Sequence, residues 1–92
     1  MQPSEKARRW PRQQVDLPVK VAVYHDAQRT LVPGRAADLS EGGMSLYAGI
    51  QLKPGDLVEI EFEAPFFATV QATIRYRSGF TFGLEFITPL SL

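Results

Sequence analysis

The chain contains no cysteine, which removes disulfide staples, thiolate nucleophiles and zinc clusters together and fits a reducing compartment. Its single histidine, His25, cannot build a multi-histidine metal site or a dyad that needs a second imidazole. The longest apolar runs fall far short of the roughly 20 residues that cross a bilayer, and at the start no apolar stretch follows the basic residues as it would in a signal peptide. The expectation is a cytoplasmic location without membrane insertion. No Walker or dinucleotide-binding glycine pattern is present, nor any internal repeat. Since no nucleophile–base pair or metal cluster can be named, neither enzymatic activity nor a cofactor is expected.

What remains is one small globular unit. With 92 residues there is room for a single core. Hydrophobic residues at 45% and charged residues at 22% are ordinary for a chain that folds. The net charge is zero but unevenly spread. Residues 1–14 carry Lys6, Arg8, Arg9 and Arg12 against Glu5, a local excess of +3, so the remainder carries −3. A nucleic-acid binder would show a basic face on its folded body. Confinement of positive charge to one proline-containing arm suits a small anion better than a polymer.

From Leu17 onward apolar residues recur with period two, as in strands with one buried face. Val19, Val21 and Val23 form one run, and Val58, Ile60 and Phe62 another. Ala68, Val70, Ala72, Ile74 and Tyr76 form a third, and Phe80, Phe82, Leu84 and Phe86 a fourth. Two less regular strands fit Thr30 to Ala37 and Met44 to Ala48. Turn chemistry separates them at His25 to Arg29, Glu41 to Gly43, Lys53 to Asp56, Ala64 to Phe67 and Ser78 to Gly79. Six short, regularly punctuated strands predict an all-β barrel or sandwich over 15–92. Residues 1–14, with Pro3 and Pro11, read as an extended, mobile arm. Only Thr88 to Leu92 follow the last strand, so little or no C-terminal helix is expected. Tyr76, Phe80, Phe82 and Phe86 are expected in the core. Glu59, Glu61 and Glu63 read as a solvated strand face that discourages edge pairing.

Two clusters carry chemistry. In Arg8-Arg9-Trp10-Pro11-Arg12, Pro11 favours extended geometry, and a curled arm can bring Arg8 and Arg12 around one ligand. Guanidinium forks match phosphate oxygens and the O6/N7 edge of guanine, while Trp10 offers a stacking face. A solubilising basic tail is the plainer alternative. In Asp38-Leu39-Ser40-Glu41-Gly42-Gly43, Asp38 and Ser40 project to one side while Leu39 points to the core. Asp38 can accept from guanine N1 and N2, and the Ser40 hydroxyl can donate or accept. Gly42 and Gly43 permit positive φ and close approach of a ligand to the backbone. A plain tight turn, with Asp38 and Ser40 bonding their own backbone, fits equally well.

Taken in order, Arg8 and Arg12 as RxxxR and Asp38, Ser40 and Gly43 as DxSxxG resemble the paired signature of the PilZ family. The late strand Phe82-Gly83-Leu84-Glu85-Phe86 resembles that family's closing strand. The resemblance implies a six-stranded antiparallel barrel of a bacterial second-messenger receptor that binds cyclic di-GMP on its outer surface. By that likeness Arg8 and Arg12 clasp phosphate and guanine from the arm, while Asp38, Ser40 and Gly43 line the barrel side; Arg9 and Gly42, next to them in sequence, are expected to join the ligand-binding site. Closure of the arm would pass a signal to a protein partner or a fused output domain. Two other readings exist: a nucleotide-independent PilZ-like interaction module, and a small RNA-binding barrel with steep salt dependence.

Overall fold

Period-two apolar runs bury their shared face when the sheet they form packs on another or closes on itself, and this chain closes with six strands. The computed structural model describes residues 12–89, which hold no helix. The strands are β1 (Gln13–His25), β2 (Gln28–Leu39), β3 (Gly43–Ala48), β4 (Leu57–Phe62), β5 (Ala68–Ser78) and β6 (Thr81–Phe86). They close an antiparallel barrel in the order β1-β2-β3-β6-β5-β4, with β4 returning to β1 through Val19↔Phe62 to Ala22↔Glu59.

The interior is filled by the expected alternate residues. Val19, Val21 and Val23 meet Val58, Ile60 and Phe62 across the closure, with Leu46, Ile74 and Phe82 among the fully buried side chains. A barrel this small has no lumen, and each large apolar side chain taken from water contributes about 1.5–3 kcal/mol.

Three expectations need correction. Tyr76 is 53% exposed and Phe80 57% exposed. An extra residue in β5 shifts the register between Ile74↔Leu84 and Tyr76↔Gly83, which turns Tyr76 to the outer face. Phe80 falls in the two-residue Gly79-Phe80 turn closed by Ser78↔Thr81, with Gly79 at φ 63°, beyond the end of the core. Glu59 and Glu61 of β4, and Glu63 just past its end, do not guard an edge, because the closed barrel has none. Glu61 and Glu59 instead take the guanidinium of Arg29, at 3.7 Å for Glu59, and Glu63 lies 3.9 Å from Lys20. Arg29 belongs to β2, so its side chain must cross β1 to reach them, and the small outward residue Ala22 on β1 is fully buried.

β1 begins at Gln13, so Gln13 and Gln14, expected in the arm, pair with Leu39 and Asp38. At its other end β1 runs through His25, and the connection to β2 is only Asp26-Ala27, shorter than the expected break from His25 to Arg29. Both turn residues are left-handed, at φ 49° and 69°, as a type I′ hairpin turn demands. Alanine there costs about 1–2 kcal/mol, and glycine gives back part of that, about 0.4–1 kcal/mol, through the unfolded chain. Ala27→Gly is therefore expected to stabilise the domain by about 0.5–1 kcal/mol, a rise of about 2–8 °C in Tm. A thermal melt showing a lower Tm would contradict this reading of the turn.

Candidate functional site

The turn between β2 and β3 is built by Ser40. Its hydroxyl accepts from the backbone N–H groups of Gly42 and Gly43, each at 3.2 Å, and donates to the Gly43 carbonyl at 3.3 Å. The Ser40 N–H donates to the same carbonyl at 3.0 Å. These bonds use the hydroxyl fully. Ser40 is buried, and it shapes the turn rather than presenting a free polar group. The Gly42 carbonyl accepts from the Phe86 N–H at 2.9 Å, which ties the turn to the end of β6.

Positive φ plays no part in this turn; among the described residues it occurs at Asp26, Ala27, Gly55 and Gly79. Gly43 is needed for a different reason. A Cβ there would lie 2.3 Å from the Leu84 carbonyl oxygen, so only glycine lets β3 and β6 approach this closely. Leu39 points into the core as expected.

Asp38 is re-aimed by a bulge. β2 pairs with β3 through Ala36↔Leu46 and Leu39↔Met44, so two residues, Ala37 and Asp38, stand opposite Ser45 alone. The Ser45 hydroxyl donates to Asp38 Oδ2 at 3.3 Å. Another bulge lies three strands along the barrel, where Arg75 is the unpaired residue of β5. Between the bulges, Ser45 pairs with Gly83 and Gly83 with Tyr76. The Tyr76 ring lies over Gly83 so closely that a Cβ would fall 2.0 Å from it.

These features frame an open cleft of about 310 Å³ on the outer surface. Arg12 lines it together with Ser40, Gly42 and Gly43 on one side and Arg75 and Tyr76 on the other. Arg75 sits 3.5 Å from Glu85, a solvent-exposed pair that leaves the guanidinium free to exchange partners. Asp38 stands outside the residues lining the cleft, one residue beyond Ser40's neighbour Leu39, on its flank.

The structure thus brings one expected arginine, Arg12, to the Ser40–Gly43 turn. Arg8 and Arg9 lie outside the described residues. Sequence reasoning missed Ser45, Arg75, Tyr76 and Gly83. The one available signal was Gly83 itself, since glycine inside a strand marks a bulge or close approach. Among the described residues no group of three or more His, Asp or Glu could hold a metal, and no helix is long and apolar enough to cross a membrane.

Comparison with known proteins places this geometry. The family model of the PilZ domain matches residues 6–92. Among solved structures, the chain is similar to the PilZ domain of CeSA from a cellulose-synthesising bacterium. The TM-score is 0.66 at 22% identity, over 87% of this chain and 83% of that one, a likeness of fold. A search of curated proteins gives no match. Because the family match takes in all six strands and both halves of the arginine and DxSxxG signature, this chain belongs to the PilZ domain family.

Proposed function

We propose that this PilZ domain is a cyclic di-GMP receptor, a binding module without catalysis of its own or need of a cofactor. The observation that supports it most is the shared cleft: Arg12, the last residue of the RxxxR motif, lines the same concavity as the Ser40–Gly43 turn. A guanidinium beside a side-chain-free glycine turn and a flat aromatic ring suits a ligand that carries both phosphate and purine. Arg12 meets phosphate or the O6/N7 edge, Arg8 and Arg9 complete the clasp, Tyr76 supplies a stacking face, and Asp38 accepts from the guanine N1 and N2 donors.

In this reading the messenger closes the arginine-bearing arm against the Asp38–Gly43 turn, and the new surface is what a protein partner or fused output domain detects. Ordering each residue costs about 1–2 kcal/mol of backbone entropy, so several charge-assisted contacts, each contributing about 1.5–3 kcal/mol, are required before affinity appears. Trp10 is the sole tryptophan and lies between the arginines, so its fluorescence reports on that segment alone. Cyclic di-GMP is expected to shift or quench Trp10 emission in a saturable way, with calorimetry giving the same affinity, while GTP and GMP do neither. Calorimetric silence with cyclic di-GMP would remove the proposal.

A further inference from the structure

Of the motif-defining residues Asp38, Ser40 and Gly43, Asp38 is the one whose side chain is left to read a ligand, because the Ser40 hydroxyl is consumed within the turn. A carboxylate on a bulged strand can rotate about two side-chain bonds, so its value for recognition depends on what fixes it. Ser45 does this. It faces outward on β3 yet is only 8% exposed, and its sole side-chain hydrogen bond among the described residues is the one to Asp38 Oδ2 at 3.3 Å. An ionised carboxylate only accepts, so the hydroxyl must be the donor. The bond occupies one lone pair of Oδ2. It leaves the second lone pair of that oxygen, and all of Oδ1, for two donors arriving side by side.

We infer that Ser45 is a positioning residue that aims Asp38 at paired N–H donors and so sets the preference of this domain for guanine over purines lacking the 2-amino group. The inference rests on the reading that Asp38 meets the guanine of cyclic di-GMP. The chemistry follows from the geometry. Guanine offers N1–H and N2–H on one edge, matched to the two oxygens of a held carboxylate. Hypoxanthine offers N1–H alone. The Asp38–Ala37 bulge sets the carboxylate opposite Ser45, and the pairing of Ser45 with Gly83 places the hydroxyl beside the strand on which Tyr76 rests. One outer-face row across β2, β3, β6 and β5 therefore carries the acceptor, its anchor, the cleared backbone and the ring.

The test measures affinity for cyclic di-GMP and for cyclic di-inosine monophosphate by calorimetry. The proteins are the unmodified chain and its Asp38→Ala, Ser45→Ala and Ser45→Thr variants, each checked by thermal melt. The unmodified chain is expected to favour the guanine ligand. Ser45→Ala should lose about ten-fold of that preference, mostly by weaker binding of cyclic di-GMP, and Ser45→Thr, which keeps the hydroxyl, should retain it. Should Ser45→Ala not fold, Ser45→Cys, similar in size but a weak donor, carries the same expectation. A Ser45→Ala protein with the full preference, beside an Asp38→Ala protein that has lost it, would overturn the positioning role while leaving the guanine contact intact. If Asp38→Ala also keeps the full preference, the contact itself is wrong and the inference goes with it.

Discussion

Gly43→Ala is expected to cost this domain about 3 kcal/mol, the upper end of the range for forcing extra atoms into a packed site. For a chain of this size that lowers Tm by about 12–24 °C. The cause is local and rigid. The added Cβ would meet a backbone carbonyl, that of Leu84, at 2.3 Å, and a carbonyl in a strand ladder cannot swing aside as a side-chain tip can. Either β3 or β6 must move. Gly43 pairs with Glu85, its carbonyl takes both the N–H and the hydroxyl of Ser40, and its neighbour Gly42 takes the Phe86 N–H. Displacement therefore breaks the turn that lines the cleft as well as the ladder, and binding should fall with stability. Gly49→Ala is the matched control. No atom lies within 4 Å of a Cβ there and the residue is not left-handed, so that change should be neutral or slightly stabilising, by up to about 1 kcal/mol. Equal melting temperatures for the two variants would show that the Gly43 approach is not rigid.

How far the molecule could be read beforehand depends on where the strands are regular. Val58, Ile60 and Phe62 alternate without interruption, and all three are buried as the period requires. The same rule misplaced Tyr76 because Arg75 is an extra residue in β5. One inserted residue inverts every face beyond it, and the insertion is dictated by how β5 meets β6, not by any property of Ile74-Arg75-Tyr76. The anchor of Asp38 was hidden for a related reason, because its partner Ser45 lies seven residues away across the bulge where β2 meets β3. Gly43 could be recognised as a constrained glycine, yet the constraint is a carbonyl from another strand rather than its own φ. The signature residues were thus legible as a pattern. Their division of labour, with Ser40 holding the turn and Asp38 held by Ser45, is a property of pairing that only the folded barrel contains.

Removing Arg12 or Tyr76 should weaken cyclic di-GMP binding by similar amounts but through different physics, and salt separates the two. Arg12→Ala deletes a charge-assisted contact of about 1.5–3 kcal/mol, roughly a 10- to 150-fold loss. Tyr76→Ala deletes a stacking face of about 1–3 kcal/mol, and Tyr76→Phe should keep it, because the ring rather than the hydroxyl lies over Gly83. Arg12 is exposed at the mouth of the cleft, where ions screen its attraction for phosphate. Affinity of the unmodified chain is therefore expected to fall as salt rises from about 0.05 to 0.5 M, a range over which the screening length shrinks to a few ångströms. Arg12→Ala should flatten that dependence, whereas Tyr76→Ala should shift the whole curve without changing its slope. An Arg12→Ala protein that keeps both the affinity and the slope would show that the cleft does not hold a phosphate there, even if the domain binds the messenger elsewhere on the barrel.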